Sequence, residues 1–283
     1  MKRSTKIVLG VVAAAAAVVC IVCCLIIFQY FRGSKVLEEV ERLTGAPDET
    51  VQVIPVLPEI IPGQQVPARP EQSEEKKNPP PEWFIQVNFE ALAGINEDIY
   101  AWIDIPGTPV SYAVVQNPED LYYNNHAVDK SYYTGGSIFS QKYNSKDFTD
   151  PVTVLYGHNR ESKTMFAPVN DYADQSFFDA HSKIYIYTPD TVYEYEIFEY
   201  EIFAAYPYSS EHLLLNYDFT RESTFTAFFD GLNETIDAHY RRELFPEAGD
   251  RVITLSTCYK SNRMQRYLVQ GVLTMEYAIL REE

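Results

Sequence analysis

Cys258 closes an apolar run, Val252-Ile253-Thr254-Leu255-Ser256-Thr257, whose β-branched residues read as a strand. His158 follows a second such run, Val152-Thr153-Val154-Leu155-Tyr156, just after Gly157, and Arg266 opens a third, eight residues beyond Cys258. Strand ends are rigid platforms from which side chains can meet across a sheet. A thiol, an imidazole and a guanidinium placed there would supply a nucleophile, a proton carrier and a cationic donor for a developing oxyanion. Each residue also has a plain structural reading. A cysteine at a strand end is commonly a small buried hydrophobe, a histidine beside a Gly-Asn turn a capping or surface group, and an arginine opening a strand a solvated charge. Composition and periodicity leave both readings open.

The elements that must position these residues are mostly short strands. The ordered domain is expected from about Trp83, where Trp83, Val87, Leu92 and Ile95 have helical spacing. Strands are predicted at Tyr100 to Ile105, Val110 to Val115, Ser137 to Ser140, Val152 to Tyr156, Ile184 to Thr188, Tyr193 to Ala204, Arg251 to Thr257 and Tyr267 to Tyr277. In the long strand, Tyr193, Tyr195 and Ile197 alternate with glutamates, and after Phe198 the phase reverses. A strand cannot change its buried face without an extra residue, so a bulge or bend is predicted near Ile197–Phe198. Phe225, Phe228, Phe229, Leu232, Ile236 and Tyr240 then lie on one face of a predicted helix of about 20 residues. The fold class is mainly β, a barrel or sandwich with one substantial helix before the penultimate strand.

Charge and apolar patterning set the compartment. Ile7 to Phe28 carries no charge, and as a helix it spans about 33 Å, close to the ~30 Å hydrocarbon core of a bilayer. Lys2, Arg3 and Lys6 precede it, which orients the N-terminus to the cytoplasm and the remainder outside. A cleaved signal peptide would have a shorter apolar core followed by small residues, whereas Ala13 to Ala17 lie mid-run. Apart from Lys2, Arg3, Lys6 and Arg32, the chain has 40 acidic against 19 basic side chains. That balance argues against nucleic acid as a partner. Cys20, Cys23 and Cys24 fall in the apolar stretch and leave Cys258 alone, so no disulfide framework exists. The expected organisation is a cytoplasmic N-terminus (residues 1–6), a membrane anchor (7–28), a Pro-rich acidic linker (29–82) and an extracellular domain (83–283). Within the linker Val36 to Leu43 is compatible with a short juxtamembrane helix, and the remainder reads as an extended spacer reaching on the order of 100 Å.

The local strings carry a further signal. Thr254-Leu255-Ser256-Thr257-Cys258 followed by Arg266-Tyr267, with Leu155-Tyr156-Gly157-His158-Asn159 upstream, resembles the sortases. Ile95-Asn96 through Trp102-Ile103-Asp104-Ile105-Pro106-Gly107-Thr108, Tyr112-Ala113-Val114-Val115-Gln116, Gly136-Ser137-Ile138-Phe139 and Ser256 are similar to class B members in particular. The resemblance runs from about Asn88 to Glu276 and implies an eight-stranded β-barrel with N-terminal helices outside it. It implies a membrane-anchored cysteine transpeptidase on the surface of a Gram-positive-type bacterium. Cys258 would be the nucleophile, His158 the proton carrier and Arg266 the oxyanion or substrate donor. Ser256 and Thr257 are candidate substrate contacts, with a strand-end hydrogen bond the plain alternative for Ser256. Arg263, three residues before Arg266, is expected in the preceding loop, because Arg266 leads directly into Tyr267-Leu268-Val269. Tyr259 stands where some relatives carry an acid.

The implied partners are surface proteins bearing a C-terminal sorting signal, cleaved after Thr, and an amine nucleophile such as a peptidoglycan precursor. A pilin-polymerising enzyme, a membrane-tethered cysteine protease releasing its substrate to water, and a non-catalytic binding module are the alternatives. No cofactor and no metal are expected: Asp147 and Asp150, or Asp171 and Asp174, lack an EF-hand spacing. The sequon Asn233-Glu234-Thr235 lies on the predicted helix, and His126, His181, His212 and His239 read as structural.

Overall fold

The computed structural model describes residues 3–47, 51–56, 80–204, 217–232, 238–259 and 262–281. Eight strands carry the architecture: β1 (Ile99–Asp104), β2 (Ser111–Val115), β3 (Ile138–Phe139), β4 (Val152–Tyr156), β5 (Lys183–Tyr187), β6 (Thr191–Ala204), β7 (Val252–Tyr259) and β8 (Asn262–Arg281). They are hydrogen-bonded in the order β6-β5-β1-β2-β3-β4-β7-β8, and a direct β6–β8 pairing closes the ring. The β2–β3 and β4–β7 seams are parallel and the rest antiparallel, so this is a mixed eight-stranded barrel. Closure leaves no unpaired edge among the eight.

The strands alternate between two apolar clusters. Ile103, Val114, Leu155, Ile186, Ile253, Leu255 and Val269 belong to the one that fills the barrel. Trp102, Val154, Val252 and Leu268 face the other, which the helices cover through Val40 of α1 (Arg3–Glu41), Leu92 of α2 (Phe89–Ile95) and Phe225, Phe228 and Phe229 of α4 (Glu222–Leu232). A further short helix, α3 (Gln175–Ala180), adds Phe178 to the inner cluster, with Asp174 capping its N-terminus.

The bulge read from the long strand is present. Gln270 of β8 pairs with Glu199 and Gly271 with Ile197, so Phe198 is the extra residue. Ile197 and Tyr200 remain with the inner cluster while Phe198 joins the outer one, beside Phe229 and Phe245. One inserted residue thus keeps both apolar phases buried.

Three expectations require correction. The helix before β7 ends at Leu232 rather than continuing to Tyr240, because Ala238–Tyr240 pairs with Glu199–Glu201 on the outer edge of β6. Ile236 and the whole of the sequon lie outside the described residues. The ladder and the Tyr240–Phe245 contact outweigh the 3.6-residue period. Near Trp83 the helix starts only at Phe89, where Asn88 accepts a bond from the Ala91 N–H at 2.9 Å. Trp83 instead stacks on Tyr185 at 4.3 Å. Finally, the extended spacer expected around the Val36–Leu43 helix is structured at residues 29–47 and 51–56. Helix α1 continues unbroken to Glu41, and Val51–Val56 pairs antiparallel with Glu276–Arg281 of β8. Ordering the chain there is offset by burial of Val40 and Val51.

Candidate active site

Strand β7 is the middle of the site. On one side it runs parallel to β4 through five register pairs, from Val252 with Val152 to Ser256 with Tyr156. The Gly157 N–H extends this seam by donating to the Ser256 carbonyl at 3.2 Å. Continuing the register two residues sets the His158 backbone level with that of Cys258. On the other side β8 runs antiparallel, and Arg266 pairs directly with Cys258. Residues distant in sequence therefore sit on three adjacent chain segments, with Cys258 between His158 and Arg266. Arg266 is buried, and its backbone is also in register with Phe203 of β6.

Arg263 lies within β8 rather than in a loop, which corrects its expected placement. The ladder jumps from the Cys258–Arg266 pair to Tyr259–Asn262, so residues 263–265 face no β7 residue in register. Register favours Arg266, not its neighbour. Ser256 and Thr257 are both buried at the end of β7, and the Thr257 hydroxyl has no hydrogen-bond partner among the described residues. One turn deeper, Gln270 donates to Thr254 at 3.0 Å and ties β8 to β7 beneath the site.

His158 is held by a contact that side-chain motifs do not reveal. Its Nε2 lies 2.6 Å from the Asn124 carbonyl oxygen. A carbonyl only accepts, so Nε2 carries a proton and Nδ1 is the ring nitrogen not engaged by this bond. Asn124 ends a one-turn 3-10 helix, Tyr122–Asn124, which a buried network fixes. The Tyr123 hydroxyl donates to Asp98 at 2.6 Å and accepts from Asn96 at 2.7 Å; Asn117 donates to Asp98 at 2.8 Å and Lys130 pairs with it at 3.3 Å. Burial raises the Asp98 pKa, but the bonds from Tyr123, Asn117 and Lys130 outweigh it and hold the carboxyl below its ordinary value. Gly136 completes the cradle at φ +60°: a Cβ there would lie 2.7 Å from the Tyr123 carbonyl oxygen and 3.0 Å from the His158 ring. Only glycine fits.

This positioning shell was not legible as function. Asn96 and Asp98 belong to a string that bears the family resemblance, but an acceptor that is a backbone carbonyl leaves no residue-type signal. His126, His181 and His239 also bond backbone carbonyls, of Tyr122, Pro106 and Ala173. What separates His158 from them is its register beside Cys258; His212 lies outside the described residues. The acidic pairs are engaged locally. Asp150 accepts from Asn144 and Ser145, Asp147 from Thr149, Asp171 pairs with Lys163, and Asp174 caps α3. Among the described residues no cluster of three or more His, Cys, Asp or Glu could hold a metal.

A closed mixed barrel with cysteine, histidine and arginine on adjoining segments at one end describes a class of cysteine-dependent acyl-transfer folds. The sortase domain model matches residues 103–274, most of the chain, and the chain belongs to the sortase family. It is a sortase-type cysteine transpeptidase, similar to sortase B. Sortase B of Listeria monocytogenes is 30% identical over 193 residues, covering 67% of this chain and 75% of that protein. The structure of Bacillus anthracis sortase B in complex with AAEK1 shares the fold with a TM-score of 0.62, at 24% identity over 88% of this chain and 99% of that one. A class B sortase of Streptococcus pyogenes involved in pilus biogenesis matches with a TM-score of 0.57 at 26% identity, over 66% of this chain and 98% of its own.

Proposed function

We propose that this chain is a single-pass membrane enzyme of a Gram-positive-type cell surface that cleaves a C-terminal sorting signal after Thr and joins the released protein to an amine of the cell wall. The observation that carries this reading is the register that sets Cys258 between His158 and Arg266. The Cys258 thiolate adds to the Thr carbonyl, and the electron pair moves to the carbonyl oxygen, where Arg266 donates to it. Collapse of this adduct breaks the C–N bond; protonated His158 gives a proton to the departing amine and leaves a thioacyl-enzyme. An incoming amine then attacks the thioester, His158 takes its proton, and the thiolate departs. A free thiol, with a pKa near 8.5, is mostly protonated at neutral pH; the neighbouring cations favour its thiolate.

The anchor is the N-terminal helix. Among the described residues, 12–28 are apolar and exposed around the helix, long and hydrophobic enough to cross a bilayer. Pilus assembly uses the same chemistry with a lysine as the amine, and the S. pyogenes relative supports keeping it as a second reading. The test is the full chain in detergent, wild type and Cys258→Ala, incubated with sorting-signal peptides with and without triglycine or a pilin lysine peptide. Mass spectrometry should find an acyl adduct on Cys258, absent from the variant, and an amine-linked product. The preferred amine separates wall anchoring from pilus assembly. Acid product alone at high amine would mark a hydrolase, and no adduct with any peptide would overturn the substrate class.

A further inference from the structure

Helix α1 changes character along its length without a break. Its residues 12–28 are exposed on all sides, whereas from Gly33 onward one face is covered: Gly33 and Val40 are buried and Val36 and Leu37 half-buried, while Arg32, Lys35, Glu38 and Glu39 remain exposed. The covered face meets two loops flanking His158. A Cβ built on Gly33 would overlap the Tyr133 ring, and one on Gly135 would overlap the same ring and come within 2.6 Å of Arg160 Nη1. The Tyr133 ring is thus packed between two glycines. The Arg160 guanidinium lies over both Tyr30 and Tyr133, at 5.8 and 5.5 Å, and Arg32 pairs with Asp129 at 3.5 Å. At the other end of the His158 loop, Met165 shares a small cavity with Leu37, Val40 and Glu41.

Distance along the helix then fixes height above the membrane. Gly33 is five residues past Phe28, about 7.5 Å along the axis. The headgroup region on each side of the hydrocarbon core is roughly 5–8 Å thick. Phe28, Tyr30 and Phe31 are exposed around this level, where aromatic side chains anchor membrane proteins. Lys35 adds an exposed basic group on a body that is otherwise strongly acidic, and Arg32 and Lys163 stay exposed beside their partners Asp129 and Asp171.

Resting on the anchor reading above, we propose that the second half of α1 is a rigid stalk that seats the barrel on the bilayer, with the loop following His158 in contact with phosphate-bearing lipid headgroups. The catalytic end then works at the membrane surface, not at the end of a long tether. The test uses the full chain in vesicles containing anionic lipid, with a genetically encoded fluorescent amino acid at position 163 or at position 18. Lipids carrying a nitroxide in the headgroup should quench the probe at 163, and lipids carrying it mid-chain should quench the probe at 18. Gly33→Leu should relieve quenching at 163 and leave that at 18 unchanged. Quenching at 18 without quenching at 163 in the wild type overturns the seat while the anchor stands. No quenching at 18 overturns the anchor and the seat together. The wild-type readings decide the matter even if Gly33→Leu misfolds.

Discussion

The two seams of β7 hold their residues by different means. On the β8 side Arg266 is part of the ladder, paired with Cys258 on one side and Phe203 on the other. On the β4 side the parallel ladder stops at Tyr156, and His158 lies beyond it on a loop. Its ring is placed by one hydrogen bond to a carbonyl whose turn depends on Tyr123, Asp98 and Asn96. Arg266 is therefore fixed by the sheet, and His158 by a buried polar network. In the proposed mechanism, the group that changes protonation state during turnover sits on the adjustable side.

That contrast can be broken from either seam. His158→Ala should lower kcat/KM by about 10²–10⁴-fold through loss of the proton carrier, read in a continuous peptide-cleavage assay with an amine present. Arg266→Ala is expected to cost about 10²–10³-fold as an oxyanion donor. Arg266→Lys should recover only part of this, because the charge returns without the planar fork. An Arg266→Ala enzyme with unchanged kcat/KM would remove Arg266 from the chemistry.

The parallel seam itself is probed by Leu155→Ala. Leu155 is fully buried in the inner cluster, so urea unfolding should show a loss of about 2–5 kcal/mol. The smallest expected effect is that of Tyr123→Phe, about 1–3 kcal/mol, since Asn96 and Asp98 lose a buried partner. It also carries a pH signature. The folded pKa of Asp98 is lowered, so its stabilising contribution is present above the unfolded carboxylate value of about 3.9 and is lost as pH falls through the folded value. Removing the Tyr123 bond raises that folded value, and acid unfolding followed by circular dichroism should begin at higher pH. An unchanged acid limb would show that the bond does not set the Asp98 titration.

Much of this molecule was legible before folding. Every barrel strand overlaps its predicted span, because β-branched and aromatic alternation is a local signal, although β8 runs from Asn262 to Arg281 where only Tyr267 to Tyr277 was expected. The Phe198 bulge was readable for the same reason: a phase reversal within one strand has only one geometric remedy. The strings around Cys258, His158 and Arg266 marked the candidate residues and their family. The end of α4 was misread because Tyr240 continues the helical period while its actual ladder partner, Glu199, stands about forty residues earlier in the chain. Local period cannot register a distant strand edge.

The amino-acid sequence by itself thus determined the eight barrel strands, the apolar span, the bulge and the residue types available for chemistry, all of which depend on neighbours a few positions apart. Only the tertiary structure decided the register that pairs Arg266 with Cys258, which carbonyl holds His158 and where the juxtamembrane helix rests. Those are matters of register and close approach between segments as far apart as Gly33 and Tyr133, and no local pattern encodes them.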